Sequence, residues 1–138
     1  MSAVAIAVAL LRVHAPVTAL LPDTSIYAGP VPQGKPFPAI SVTEVSGYEH
    51  DTVNRDRPKS LMRSRVQVTV LTADPGGYAK MKQLLLAAKL GAGNHTGIVG
   101  AYEVNSVRPE GVNPEMPVGD DGIYEQSRDF MVTFQETN

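Results

Sequence analysis

The sequence predicts an α+β fold of two layers, in which a four-stranded, mainly antiparallel sheet carries helices on one face, in the order α-β-β-α-β-β. Two segments have helical character: an Ala-rich apolar run at the start, and a central segment with apolar residues three and four apart. Four segments show the alternation or the β-branched composition of strands. Because 138 residues fit one domain, we expect a single domain over 1–138.

The composition narrows the function as well as the fold. The chain has 12 Lys and Arg against 14 Asp and Glu, so its bulk charge argues against a protein that coats nucleic acid. A hydrophobic fraction of 43% and a charged fraction of 19% are typical of a packed globular chain. The absence of cysteine excludes disulfides, thiolate zinc sites and a cysteine nucleophile.

The N-terminal segment predicts a short helix, with Ser2 as its N-cap and Pro16 as its end. Its apolar run, Ala3–Leu11, is far below the roughly 20 residues of a membrane span and lacks the basic start of a secretory signal. We therefore expect no membrane partner. Because the helix is apolar nearly all round, we expect it either deep in the domain or against another subunit.

The next segments predict an arm, a strand and a loop. Gly29–Pro38 contains four prolines and two glycines, which excludes a helix and favours an extended arm. Ala39–Val45 alternates apolar and polar residues, as a half-buried strand does. Ser46–Met62 is polar and rich in breakers, and it predicts a long hairpin loop.

The middle of the chain predicts a strand followed by a helix. In Arg63–Thr72, valines alternate with polar residues, which places Val66, Val68 and Val70 on one buried face. Asp74 and Pro75 predict the start of a helix that runs to about Leu90, and Gly91 predicts a left-handed C-terminal cap. The expected buried stripe consists of Tyr78, Met81, Leu84, Leu85 and Ala88.

Two further strands are predicted at about Ile98–Arg108 and Ile123–Gln135. Pro109–Gly122 links them and is rich in Pro, Gly and acidic residues. Two sets of residues are expected on buried faces: Ile98, Tyr102 and Val104 in the first strand, and Phe130, Val132 and Phe134 in the second.

No set of residues predicts catalysis. Glu49, His50 and Asp51 are consecutive in a loop, and consecutive residues rarely converge on one metal ion. Gly91–Gly97 is rich in glycine, but it follows a helix and lacks the Lys-Ser/Thr ending of a phosphate-binding loop. We therefore predict no catalytic residue, no metal and no cofactor, and a protein that is not an enzyme.

Charge is unevenly placed along the chain. Residues 55–89 hold eight basic and two acidic residues, and residues 103–138 hold eight acidic and two basic residues. Such segments can attract each other between copies. Their opposite charges can also pair within one subunit, across neighbouring strands. Both interpretations stay open. The candidate contacts with other copies or partners are Arg55, Arg57, Lys59, Arg63, Asp120, Asp121 and Glu125.

The order of units resembles a known family. The segments that carry the resemblance are Ile26–Gly47 (strand, Pro-rich arm, strand), Arg63–Leu90 (strand, helix) and Tyr124–Glu136 (closing strand). With the leading helix, they are similar to the tail-completion, or tail-terminator, proteins of long-tailed bacteriophages. Residues 48–60 and 109–122 have no match to the family pattern.

The resemblance implies a structural virion protein of the tail and neck, assembled in the host cytoplasm. It implies a ring, commonly a hexamer, that caps the tail tube and joins it to the head connector. The implied partners are copies of the chain, the tail tube protein and the head connector or closure protein, with DNA only passing through the lumen. Two alternatives stay open: a head-closure or connector-adaptor protein, and a DNA-binding module that uses the basic hairpin loop 55–65.

Overall fold

A computed structural model describes residues 2–50, 59–119 and 121–137 of the protein. These residues form three α-helices, six strands and one 3-10 turn at Asp23–Ser25. The helices are α1 (Ser2–Val13), α2 (Ala15–Thr18) and α3 (Gly77–Ala92). The strands are β1 (Ile26–Ala28), β2 (Ala39–His50), β3 (Lys59–Ala73), β4 (His95–Val99), β5 (Tyr102–Val112) and β6 (Ile123–Thr137).

The described strands form one sheet in the order β1-β2-β3-β6-β5-β4. The sheet is mixed, because β1 runs parallel to β2 and the other pairs are antiparallel, and it curls strongly into a half-barrel. The predicted α+β class is confirmed, but the prediction of four strands is wrong. Strand β1 has only three residues, too few for a period to be visible, and a turn at Gly100 and Ala101 divides the predicted strand Ile98–Arg108 into β4 and β5.

Helix α1 forms the centre of the core. Ile6, Ala7 and Leu11 are fully buried, and the helix contacts α2, α3 and five of the strands. Of the two placements that its apolar composition predicts, the structure has the first: α1 is buried within its own subunit. No described helix has the length and apolar character that crossing a membrane requires.

The ladder between β3 and β6 lies at the centre of the sheet and has fifteen consecutive residue pairs, from Lys59↔Thr137 to Ala73↔Ile123. The predicted facing of both strands is confirmed. The side chains that they bury beneath the helices are Val66, Val68, Val70, Phe130, Val132 and Phe134.

The predicted loop Ser46–Met62 is mostly strand. Strand β2 continues to His50 and β3 begins at Lys59, and the two pair out to His50↔Leu61. A register shift between Glu44 and Ser46 interrupts the ladder. Polar composition does not exclude strand here, because the paired residues of β2 and β3 satisfy each other's backbone groups along the ladder. Residues 51–58 lie outside the described residues.

Both predicted ends of α3 are wrong. The helix begins at Gly77 after Gly76, whose positive φ of 72° suits glycine. Asp74 makes no cap, and its carboxylate instead accepts a hydrogen bond of 3.3 Å from the Tyr124 hydroxyl. Gly91 lies inside the helix, where a Cβ would come within 2.8 Å of the His14 ring. Glycine is therefore needed at this position for close packing and not for a left-handed cap.

The predicted stripe of α3 is confirmed at four positions, since Met81, Leu84, Leu85 and Ala88 are buried. Tyr78 is instead half exposed. The prediction for Ile98 is also wrong: it is 77% exposed. The chain reverses after Val99, so Ile98 and Tyr102 belong to different strands and do not share the facing that one continuous strand would give them.

Candidate assembly interface

The sheet face turned away from α1 and α3, called the outer face, carries a polar network across β3 and β6. Arg65 Nη1 donates a hydrogen bond of 3.0 Å to Asp129 Oδ2. Asn113 Nδ2 donates to the other Asp129 oxygen at 3.0 Å and to Ser127 Oγ at 2.8 Å. Gln67 Nε2 donates to the same Ser127 hydroxyl at 2.9 Å. The network therefore fixes Asn113, where the chain leaves β5, to the centre of the sheet.

The connection 113–122 between β5 and β6 is called the acidic loop, and backbone hydrogen bonds hold its first residues along β6. The Asn113 N–H donates to the Ser127 carbonyl at 2.9 Å, and the Met116 N–H donates to the Glu125 carbonyl at 3.0 Å. Farther along, the Ile123 N–H donates to Asp121 Oδ1 at 3.1 Å. Strand β5 pairs with β6 only as far as Val112↔Arg128. Beyond that pair, the first residues of the loop take the place of β5 along the same edge of β6.

Glu115 fixes the acidic loop to the N-terminal half of α3. Its carboxylate accepts a hydrogen bond of 3.0 Å from the Tyr78 hydroxyl and lies 3.5 Å from Lys82 Nζ. That hydrogen bond, with smaller contributions from burial and from the negative charge of Glu115, raises the pKa of Tyr78. Lys82 also donates to Gln126 Oε1 at 2.6 Å. Helix, loop and β6 therefore meet at Lys82.

Two further groups in this region have shifted pKa values. The negative charge of Asp74 is the main cause that raises the pKa of Tyr124, whose ring packs edge-on against Tyr78 at 6.2 Å between centroids. Arg128 lies opposite Val68 in the ladder, and burial lowers the pKa of its guanidinium.

An apolar groove lies between α2 and the C-terminal half of α3, and it is called the helical groove. Its volume is about 360 Å³, more than twice the roughly 150 Å³ that holds a benzene molecule. Leu86 and Leu90 are 55% and 62% exposed along it. The lining residues are Pro16, Ala19, Leu20, Gln83, Leu86, Ala87 and Leu90.

A second hollow, of about 290 Å³, lies on the outer face beneath the start of the Pro-rich arm. The Ser41 hydroxyl donates a hydrogen bond of 2.7 Å to the Gly29 carbonyl, and the Gly29 N–H donates to the Val42 carbonyl at 2.8 Å. The first residues of the arm are therefore fixed to their own sheet. The lining residues are Pro30, Val31, Ser41, Thr43, Thr69, Leu71 and Glu125.

Three of the seven candidate contact residues, Arg55, Arg57 and Asp120, lie outside the described residues. Lys59 is the first residue of β3.

The other three candidates are half-buried or exposed on the surface but form no single cluster. Arg63 pairs in register with Thr133, whereas Glu125 pairs with Leu71, eight residues farther along β3. At about 3.3 Å per residue, these positions are roughly 26 Å apart. Asp121 is exposed, and one of its carboxylate oxygens stabilises the turn before β6.

Both interpretations of the charge pattern have support in the structure. The ion pairs Arg65–Asp129 and Lys82–Glu115 cancel charge within the subunit. The remaining charge is segregated, because the sequences of α1, α2 and α3 hold four basic residues and no acid, whereas residues 109–127 hold five acids and no base.

Sequence reasoning missed the apolar residues of this surface. Three consecutive leucines, Leu84–Leu86, cannot all lie on one face of a helix. The sequence therefore does indicate that one of them is exposed. Met116 and Val118 stand among prolines and acids without any period, and only the structure identifies them as exposed, at 55% and 50%.

Within residues 2–50, 59–119 and 121–137, no three His, Asp or Glu side chains are close enough to hold a metal ion. What the geometry offers is a set of surfaces: an apolar groove with basic helices, an ordered acidic loop and a long hairpin. Such surfaces are typical of a protein that packs against other proteins.

The fold is similar to that of a chain in a solved virion structure. A chain of the solved structure described as "Virion of native gene transfer agent (GTA) particle" superimposes with a TM-score of 0.70 over 96% of this chain and 94% of that chain, at 16% sequence identity. No curated protein matches the sequence significantly. The family model "Tail completion protein gp17" matches residues 6–89, from α1 into α3, and the chain belongs to this family.

Family membership confirms the resemblance that the sequence predicts. The protein is a tail completion protein of a phage-like particle, a structural component of the virion tail, and it is not an enzyme. It assembles with other virion proteins. The matched range ends before β4, so the acidic loop and β6 lie outside it.

Proposed function

We propose that this tail completion protein forms a hexameric ring at the head-proximal end of the tail tube and joins the tube to the connector of the head. A ring of identical chains needs heterologous contacts, in which one surface of a subunit meets a different surface of the next. The observation that carries the proposal is that one subunit has two such unlike surfaces, a basic and apolar helical side and an acidic loop.

Charge supports a head-to-tail arrangement over a symmetric dimer. Two copies of the basic helical side would repel each other, and so would two copies of the acidic loop, because like charges placed together disfavour a contact. Contact between the helical side of one copy and the acidic side of the next brings unlike charges together. Repetition of that contact around an axis closes a ring.

The remaining surfaces suit the partners above and below such a ring. The segment 55–63, which includes the first residues of β3, is rich in arginine and lysine, and the proposed contacts in it are Arg55, Arg57, Lys59 and Arg63. On the acidic side, the proposed contacts are Asp120, Asp121 and Glu125. We assign no base-reading role to the hairpin, and DNA passes only through the lumen.

A binding experiment with separated virion parts tests the proposal. Tails made without this protein and heads made without tails are each incubated with purified protein and viewed by electron microscopy. We expect six-fold rings at one end of the tails, followed by joining to heads. Binding to heads alone would assign the protein to head closure instead. Salt-sensitive DNA binding without binding to either part would favour the DNA-binding alternative.

The variant Arg57→Glu tests the hairpin as a partner contact. We expect an unchanged circular dichroism spectrum and weaker attachment to tails, because the variant reverses one of the positive charges between β2 and β3. Attachment equal to that of the parent protein would remove this segment from the contacts.

A further inference from the structure

We infer that the helical groove receives the acidic loop of a second copy of this chain, with Met116 and Val118 as the side chains that enter it. The inference rests on the proposed ring and gives its contact between subunits. Its basis is a match of apolar character and charge between two different surfaces of the subunit.

The groove has the properties of a surface that another protein covers. Single exposed leucines are ordinary, but Leu86 and Leu90 stand one helical turn apart and border a hollow of about 360 Å³ that is lined almost entirely by apolar atoms. The same helix buries its opposite face fully in the core, so these leucines are not needed to hold α3 in place.

The acidic loop has the properties of an inserted segment. Met116 and Val118 are exposed, and they are spaced as the side chains on one side of an extended segment are. Pro114 and Pro117 limit the backbone around them. Hydrogen bonds from Asn113 and Met116 to β6 already order the first residues of the loop, which lowers the conformational entropy that docking costs.

The charges around the two surfaces are opposite. Lys82 and Lys89 stand four residues before and three residues after Leu86, which places them on the same side of α3. The acidic loop carries Glu115 with Asp120 and Asp121, and it has no basic residue. The contact between Glu115 and Lys82 within one subunit is a small example of the same complementarity.

The loop of the same subunit contacts α3 only beside the near end of the groove. Glu115 is bound at Tyr78 and Lys82, whereas the groove reaches Leu90, eight residues and about 12 Å farther along the helix. A loop from the next subunit can enter the groove, and the resulting contact is heterologous, as a ring requires. The Pro-rich arm fits less well, because its one charged residue, Lys35, has the same sign as the helices.

Cross-linking tests the contact, and the absence of native cysteine makes every introduced thiol unique. Leu90→Cys and Met116→Cys proteins are oxidised separately and as a mixture. We expect disulfide-linked pairs in the mixture and almost none in either protein alone. The matched control is Ile98→Cys mixed with Met116→Cys, because Ile98 is an exposed apolar residue on β4 and outside the groove.

Three cross-linking results would overturn the inference. A Leu90→Cys protein that links to itself indicates a symmetric contact. A Leu90→Cys protein that links to Phe37→Cys indicates that the Pro-rich arm is the occupant. The absence of any link from Leu90→Cys, in a mixture whose native mass is that of a ring, places the contact elsewhere, and in that case the proposed ring stands.

Association measurements give a second, independent test. Leu86→Asp and Met116→Asp should each weaken self-association on the order of tenfold or more, since each places an unpaired carboxylate in an apolar contact. Ile98→Asp should leave association unchanged. Circular dichroism checks that all three variants fold. Equal association of Leu86→Asp and the parent protein would overturn the inference, whereas a parent protein that neither self-associates nor binds tails would overturn the proposed function as well.

Discussion

Helices α1 and α3 are both rich in apolar residues, but they use them differently. In α1 the residues Ile6, Ala7 and Leu11 are fully buried within the subunit. In α3 the core takes Met81, Leu84 and Ala88, while Leu86 and Leu90 stay exposed beside lysines. The apolar residues of α1 therefore serve mainly folding, whereas Leu86 and Leu90 of α3 leave more than half of their surface uncovered by the subunit.

This difference in burial between α1 and α3 shows how one small chain can combine stability with a surface for assembly. A helix that turns nearly all of its large apolar side chains into the core stabilises the sheet and leaves little apolar surface for a partner. A helix at the surface can stabilise the sheet with one face and offer the other to a neighbouring subunit. In this protein helix α3 also carries the lysines that would attract an acidic partner.

The largest expected effect comes from the same truncation in the two helices. Leu11→Ala should lower the free energy of unfolding by about 3 kcal/mol, because it opens a cavity in the fully buried core. Leu86→Ala should change it by less than about 0.5 kcal/mol, because this leucine is half exposed. Urea denaturation of the monomer measures both. Equal losses in the two variants would contradict the difference in role between α1 and α3.

A charge reversal on α3 should have a smaller effect, and on assembly rather than on folding. Lys89→Glu should weaken self-association on the order of tenfold while thermal unfolding of the monomer changes little, because the side chain is exposed beside the groove. The effect should shrink at high salt, since exposed charges are screened. Arg108→Glu, exposed on β5, is the matched control, and an equal loss there would indicate a bulk charge effect.

The network that positions the acidic loop beside α3 should have a moderate effect on stability. A double-mutant cycle with Arg65→Ala and Asp129→Ala should give a coupling of about 1 kcal/mol, since Asp129 is nearly buried but Arg65 is partly exposed. Chemical denaturation of the four proteins measures it. A coupling of zero would mean that the pair does not fix the loop.

The smallest expected effect is the loss of the Tyr78 hydroxyl, which bonds the loop to α3. The folded-state pKa of Tyr78 is raised, so its contribution is present below the ordinary tyrosine pKa of 10.0 and is lost as the pH rises through the raised value. Tyr78→Phe should therefore lower the denaturation midpoint slightly at pH 8 and not at high pH. A loss that persists after tyrosine ionisation would assign the effect to ring packing instead of the hydroxyl.

The sequence predicts the regular parts of this fold because their signal is local. The alternation of Val66, Val68 and Val70 places β3 and its buried face, and the apolar run of α1 predicts its burial. Gly91 is the opposite case: its place opposite His14 depends on two segments 77 residues apart, and no local pattern contains that information. A polar hairpin and a polar loop also look alike in sequence, because both are solvated.

The sequence predicts the charge of the candidate interface but not its shape or its contacts. The basic and acidic segments are visible in the sequence, but the structure alone brings Arg65 to Asp129 and opens a groove beside Leu90. A groove depends on how two helices pack, and packing is a property of the whole core.

The native mass of the purified protein, alone over a range of concentrations and with isolated tails, is the sharpest test of the proposed ring. We expect a closed assembly of six times the 14.7 kDa subunit, in free solution or at the tail end. A mass of one subunit at every concentration, with no attachment to tails, would contradict it.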